Sequence, residues 1–247
     1  MDEPKSVVSS GSEEPIETIV DPTRVGVSAF LFRTFQAFRY RDFRLMWSGA
    51  FISATGTWMQ QVAESWVVLG LTNSAFYLGL SAFLGQLPFI LFTLIAGVIA
   101  DRVDRRKLLL VSQLIQMSTA VILTTILVFG SIKIWHLLLA VFTVGTGQAF
   151  GGPAYSAIIP GLVKRKDVPN AIALNSIQFN LARVIGPLLA GTALALVGPV
   201  LCFGLNSLSF IVVIVILCMI RASFKPEKSE DSLLVGMKQG FAFLKSR

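Results

Sequence analysis

The chain has 247 residues, 54% of them hydrophobic and 14% charged, with a mean hydropathy of +0.72. A water-soluble domain carries about 25% charged residues, so this composition excludes an ordinary soluble domain and points to a membrane protein. The net charge of +7 does not indicate nucleic acid, because the bases border apolar runs of bilayer length.

Residues 1–28 are polar, acidic at first and poor in aromatics, and are expected to form a disordered cytoplasmic tail. No basic stretch followed by a short apolar run opens the chain, so no cleaved signal peptide is expected. Residues 29–43 interleave Phe30, Phe32, Phe35, Phe38, Tyr40 and Phe43 with Arg33, Arg39 and Arg41. That pattern suits an interfacial amphipathic segment, aromatics toward lipid and arginines toward water.

The region 44–221 reads as a six-helix transmembrane bundle, an all-α membrane fold. A spanning helix needs about 20 largely apolar residues. Six runs qualify, near 45–71, 74–100, 108–130, 134–159, 172–197 and 200–220. The connections 72–73 and 198–199 are so short that their flanking helices must be antiparallel. Nineteen of the 21 Lys and Arg then fall on one side, Lys133 on the other, and Arg183 inside the fifth run. Bases favour the cytoplasmic side, so both termini are expected there, with the chain a multi-pass protein of the inner (cytoplasmic) membrane.

In the first run, Ser53, Thr57, Gln60 and Glu64 are spaced four, three and four, which places them on one helix face. Gln61 borders it. The stripe is expected to face a water-filled cavity, because lipid would leave these groups unsatisfied. Glu64 is the only acid inside a span. An unpaired charge at midplane costs about 2.5–3.5 kcal/mol on insertion scales, which makes such a residue a functional candidate.

Between the second and third runs stands Gly97-Val-Ile-Ala-Asp101-Arg102-Val-Asp104-Arg105-Arg106-Lys107. Positive-inside anchoring explains the bases. It does not explain Asp101, which meets the negative end of its helix dipole. Arg105 could compensate in part, and the N-terminus of another helix would do so better.

The fourth run sets Gln148 among Gly145, Gly147, Gly151, Gly152 and Pro153, and places His136 beside Trp135 as an interfacial anchor. In the fifth, Ser176, Asn180, Arg183 and Pro187 repeat the spacing of the first run and are likewise expected to face the cavity. Glu64 and Arg183 lie at different depths, so a link through water or Gln148 is easier than a direct pair. Ala182, Gly186 and Ala190 recur every four residues, a groove for close helix packing. Pro187 removes one backbone bond and permits a bend. Cys202 and Cys218 share one helix about 24 Å apart and cannot pair.

The loop from Gly97 to Lys107 resembles the signature loop between helices 2 and 3 of the major facilitator superfamily, roughly G-x-[LI]-[AS]-D-R-x-G-R-R. The resemblance implies that Asp101 and Arg102 latch this bundle to a second bundle in the outward-facing state. Gly97 then allows close helix approach, and Arg105 and Arg106 complete the gating loop. Asp104 stands where the pattern has Gly, a departure that puts the tight turn in question and adds an acid that could compete for Arg105. The run Asn180–Gly191 resembles the Gly-Pro motif of the superfamily's antiporters, with Ala182 and Ala190 replacing two glycines, which implies a packing role for Gly186, Pro187 and Gly191. Relatives with a marked antiporter motif carry an Arg three residues before the helix-4 Gln, where this chain has Gly145.

The stretches "TWMQQVAESWVVLGLTNS" and "PGLVKRKDVPNAIALNSIQFNLARVIGPLLAG" are similar to the macrolide and enterobactin exporter branch. By that resemblance the chain is an N-terminal half, a 3+3 inverted repeat in which Pro88 and Pro187 sit on partner helices. Residues 222–247, with Leu233, Leu234, Met237, Phe241 and Leu244 at amphipathic spacing, begin a central cytoplasmic loop. The implied activity is secondary, proton-coupled efflux of amphipathic small molecules by alternating access. Its partners are the bilayer, a small-molecule substrate, protons and a missing C-terminal six-helix half. A metabolite or lysophospholipid permease remains open, as does a non-transporting half-size remnant or interaction module. No HExxH, GxSxG or Walker pattern occurs, and no catalytic residue, cofactor or metal ligand is expected.

Overall fold

The computed structural model describes residues 35–220. The expected tail 1–28, the first part of segment 29–43 and the loop 222–247 lie outside the described residues, as does the side chain of Asp101. Six long helices follow one another: α1 (Arg41–Thr72), α2 (Ala75–Arg102), α3 (Arg105–Val128), α4 (Ile134–Ile158), α5 (Val168–Leu196) and α6 (Pro199–Met219). A 3-10 turn, Gln36–Arg39, precedes α1, and two more, Ile159–Leu162 and Arg165–Asp167, join α4 to α5.

The helices α2 to α6 are long and apolar enough to cross a membrane. Helix α1 has 32 residues, about 48 Å at 1.5 Å per residue, so it exceeds the hydrocarbon thickness as well. Its polar stripe lowers its hydropathy below that of the others. Helices α1 and α5 both begin four residues earlier than their hydropathy suggests. Pro169 in the first turn of α5 has no backbone N–H to leave unpaired and a φ already set for a helix. Asp42 in the first turn of α1 faces the positive end of the dipole.

The tight connections have their own chemistry. Asn73 closes α1 in the left-handed region at φ 45°, which asparagine tolerates better than most residues. Gly198 turns α5 into α6 at φ 94°, where a side chain would be strained. Asp104 resolves the departure noted in the charged loop. It is the N-cap of α3, and its carboxylate accepts from the backbone N–H of Arg106 at 2.9 Å and of Lys107 at 3.4 Å. At φ −55° no glycine is needed there. Asp104 does not compete for Arg105 in this arrangement, because capping occupies it.

Packing obeys a two-fold exchange of α1–α3 with α4–α6. Helix α2 lies along α4 as α5 lies along α1, α1 lies along α6 as α4 lies along α3, and α3 packs on α6. The proline-bearing helices correspond: Pro88 of α2 lies against Gly145 of α4, and Gly186, beside Pro187 of α5, lies against α1. The apolar core splits in two. One cluster holds Phe43, Met46, Leu109, Ile158, Leu174 and Leu217, at the end carrying the basic loops. The other holds Met59, Val68, Leu123, Leu137, Cys202 and Phe203 at the opposite end. Between them the bundle is polar.

Within segment 29–43, the described aromatics divide. Phe35 is half exposed, but Phe38 packs on Phe43 and Trp47, with ring centroids 5.7 and 5.0 Å away. Phe43 is buried. These rings serve the bundle's end rather than the lipid, because Gln36–Arg39 is pinned down: the Ala37 N–H donates to Asn170 Oδ1 at 2.9 Å.

Candidate functional site

A cavity of about 750 Å³ occupies the polar middle, and all six helices contribute to its wall. The α1 stripe turns into it as its spacing predicts: Ser53, Thr57, Gln60, Gln61 and Glu64 line it, as does Gln148 of α4. Glu64 accepts a hydrogen bond from Ser81 Oγ of α2 at 2.9 Å. Among the described lining residues it is the only charged side chain, and Trp58, Phe89, Phe179 and Phe210 also line the cavity.

Two amide clasps join helices of the cavity wall to one another. Asn206 Nδ2 of α6 donates to Gln60 Oε1 at 2.7 Å, and Ser209 Oγ donates to Asn206 Oδ1 at 3.1 Å. On the other side Gln148 Nε2 donates to Gln116 Oε1 of α3 at 3.4 Å. Gln116 Nε2 in turn donates to Ser112 Oγ at 3.1 Å, and Ser112 Oγ donates to the Gly147 carbonyl at 2.6 Å. Glycines make room for both clasps. A Cβ on Gly56 would lie 2.7 Å from Asn206 Oδ1. One on Gly147 would lie 3.2 Å from Gln116 Cγ, and one on Gly151 would collide with Ser112 Oγ.

Two further lining groups, Gln113 Oε1 and Gln178 Nε2, are buried and make no hydrogen bond to the described residues. Buried polar atoms are nearly always satisfied, so these mark positions for water or a ligand. Gln113, Gln178, Ser81, Gln116 and Asn206 were not anticipated from the sequence. The available signal was the recurrence of polar residues at helical spacing within apolar runs, as in Ser112–Gln116 and Asn206–Ser209.

The expected stripe on α5 stands elsewhere. Ser176, Asn180 and Arg183 are exposed and lie outside the lining of this cavity. Asn180 Nδ2 donates to the Ser176 carbonyl at 2.8 Å. The Arg183 guanidinium lies 5.4 Å over the Trp58 ring, a cation–π contact at the cavity's edge. Glu64 and Arg183 form no ion pair; among the described residues the ion pair is Arg41–Asp42.

The position three residues before Gln148 has a structural reason to lack a side chain. A Cβ on Gly145 would collide with the Gly85 carbonyl and lie 3.2 Å from Pro88 Cγ. Gly145 is the α2–α4 crossing point, so an arginine there would force the helices apart. Gly186 does the same for α1 and α5: its Cβ would lie 2.5 Å from Trp58 Cβ and 2.8 Å from the Thr55 carbonyl. Ala182 and Ala190 are fully buried on the same face. Gly191 and Gly97 are different, since a Cβ at either meets nothing within 4 Å.

The charged loop is partly committed within the bundle. Arg105 Nη1 donates to the Ala157 carbonyl at 3.3 Å, and Arg106 Nη1 donates to the Ile220 carbonyl at 3.2 Å. Both guanidinium groups thus meet the C-terminal ends of α4 and α6, where orphan carbonyls and the negative dipole end favour a cation. Arg102 ends α2.

A family model described as transmembrane secretion effector matches residues 32–247. The chain belongs to this family, within the major facilitator superfamily. It is 31% identical over 157 residues to the staphyloferrin A transporter of Staphylococcus aureus, covering 62% of this chain and 38% of that one. It is 26% identical over 156 residues to macrolide efflux protein A of Streptococcus pyogenes, with the same shares of 62% and 38%. It is 28% identical over 206 residues to the enterobactin exporter EntS of Shigella boydii, covering 82% and 49%. The chain therefore spans about half or less of the curated relatives it matches. A crystal structure of the peptide transporter POT superposes with a TM-score of 0.65 at 16% identity, over 84% of this chain and 44% of that one. At that identity the likeness speaks for the fold, a multi-pass helical membrane bundle.

Proposed function

We propose that this chain forms one half of an alternating-access exporter of amphipathic small molecules, coupled to protons through Glu64. The observation that carries the reading is the cavity itself: a polar and aromatic chamber in the middle of an apolar bundle, with one carboxyl group, Glu64, hydrogen-bonded to Ser81. Such a chamber suits a ligand with apolar area and a few polar groups. An acid inside a membrane span is costly unless it serves a pathway, and a lone protonatable group in a chamber is the simplest proton carrier. The relatives' activities, macrolide efflux and enterobactin export, support this reading.

In this reading a second six-helix bundle supplies the other wall. Asp101 and Arg102 form the latch to it, and Asn180 and Arg183 stand on the side that it covers. In the same reading both termini lie in the cytoplasm of a cell whose inner membrane holds the protein, which the base asymmetry supports. Residues 44–221 are the working bundle, and the segments before and after it are cytoplasmic.

The test is dye export. Cells expressing the protein are loaded with an amphipathic fluorescent dye such as Hoechst 33342, with and without a protonophore. The expected result is lower dye retention that the protonophore abolishes and that Glu64→Gln reduces at least about tenfold, a single transport interaction of about 1.4 kcal/mol. Retention that responds to the protein but not to Glu64→Gln overturns the coupling role. Retention indifferent to the protein overturns export of this dye class.

A further inference from the structure

Outside the central cavity, a second pocket of about 240 Å³ lies at the end of the bundle that carries the basic loops. Two segments far apart in sequence build it: Gln36, Arg39 and Tyr40 before α1, and Lys164, Lys166 and Asp167 before α5. They are fastened together. The Tyr40 hydroxyl donates to Asp167 Oδ2 at 2.6 Å, beside the Ala37–Asn170 hydrogen bond. Asp167 lines the pocket and is 7% exposed, with its carboxylate engaged by Tyr40. The hydrogen bond to Asp167 raises the Tyr40 pKa above its ordinary value, so the phenol keeps the proton that it donates.

Three cations, Arg39, Lys164 and Lys166, remain around the rim against that one acid. None of the three forms an ion pair among the described residues. Three like charges held at one pocket by a fixed backbone repel one another unless an anion joins them. The depth of the pocket says which anion. It sits immediately before the first turns of two membrane-length helices, α1 and α5. Where such helices meet the bilayer surface, the anions at hand are lipid phosphates. Phe35, next in sequence to the lining residue Gln36 and 49% exposed, offers an apolar surface on the same segment.

We propose that this pocket binds the headgroup phosphate of an anionic phospholipid, with Arg39, Lys164 and Lys166 as its ligands and Phe35 against the lipid's acyl region. The site would tie the segment before α1 to the α4–α5 connection whenever such a lipid is present.

The test uses the full chain purified in a neutral detergent. Dioleoyl-phosphatidylglycerol, dioleoyl-phosphatidylcholine and inorganic phosphate are titrated separately while thermal unfolding is followed. Phosphatidylglycerol is expected to raise Tm by about 2–4 °C, as a bound ligand does for a chain of this size, and phosphatidylcholine and inorganic phosphate are not. The variant Arg39→Gln/Lys164→Gln/Lys166→Gln is expected to lose at least half of that rise. The variant Arg44→Gln/Lys107→Gln/Arg165→Gln removes the same charge from exposed residues that do not line the pocket, and is expected to keep it. If the first variant does not fold, Lys164→Gln alone should raise the half-saturating phosphatidylglycerol concentration about threefold. Equal loss in both triple variants means diffuse attraction and overturns the site. An equal rise with inorganic phosphate means a free-anion site and overturns the lipid assignment. No rise with phosphatidylglycerol overturns both.

Discussion

The two amide clasps occupy corresponding places in the two three-helix repeats, and they are not equally tight. Gln60–Asn206 closes at 2.7 Å between side chains that are 6% and 2% exposed. Gln148–Gln116 reaches 3.4 Å, and Gln148 is only half-buried on the cavity wall. Near the first, a Gly56 Cβ would meet Asn206 and Ser209, including the Asn206 Cα at 3.2 Å. Near the second, a Gly147 Cβ meets the flexible Gln116 side chain. One fold plan thus yields a tighter amide clasp, α1 on α6, and a looser one, α4 on α3, where the Ser112 Oγ–Gly147 carbonyl hydrogen bond at 2.6 Å braces the helices instead. The looser one leaves Gln148 available to whatever occupies the cavity.

Gly56→Ala drives a methyl into the buried side-chain oxygens of Asn206 and Ser209, and Gly186→Ala drives one into Trp58 Cβ and the Thr55 carbonyl; overpacking of this kind costs about 1–3 kcal/mol. Gly147→Ala should cost less than about 1 kcal/mol, because Gln116 Cγ can move a few tenths of an ångström and the helix gains by losing a glycine. Thermal unfolding in detergent ranks the three. Gly147→Ala at or above the cost of Gly56→Ala would mean that the two walls are equally rigid.

Substitution of the amides sharpens the same contrast at smaller scale. Asn206→Leu strands Gln60 Oε1 in a buried site, which costs about 1–3 kcal/mol. Gln116→Leu leaves Gln148 Nε2 at the cavity surface, where water can take over, and should cost about 1 kcal/mol or less. Double-mutant cycles on the two pairs should give a coupling for Gln60–Asn206 that exceeds that of Gln148–Gln116. The reverse order would show that the 3.4 Å contact is the stronger brace and that α4 is the fixed wall.

The sequence makes the helices legible and the direction of their faces only partly so. Identical spacing on α1 and α5 predicts two polar stripes. The α1 stripe lines the cavity, and Ser176, Asn180 and Arg183 of the α5 stripe do not. Spacing says which residues share a face; it does not say where that face points. On α5 the orientation is set by Ala182, Gly186 and Ala190, which must lie against α1, and this buries Gln178 toward the cavity instead. Asp104 and Gly145 are read in sequence as departures from a pattern. In three dimensions one is a helix cap and the other a helix crossing. Both roles depend on a neighbour that pattern matching does not see: the α3 amides for one, the Gly85 carbonyl for the other.

The smallest effects are expected at Gly97 and Gly191, on the corresponding helices α2 and α5. In both places a Cβ meets nothing within 4 Å, so neither glycine serves a close approach inside this bundle. Gly97→Ala and Gly191→Ala should therefore leave the stability of the chain unchanged or raise it by up to about 1 kcal/mol, the helix-propensity gain of alanine. Gly186, five residues before Gly191 on the same helix, gives the internal control, since Gly186→Ala must destabilise under identical conditions. If Gly97 or Gly191 is required for close packing, its partner lies outside the described residues; a partner outside this chain would show its penalty in dye export by cells and not in the unfolding of this chain. A loss of thermal stability in the purified chain for either variant would place the partner within residues 1–247 after all, and the open faces of α2 and α5 would have to be closed by a segment of this chain.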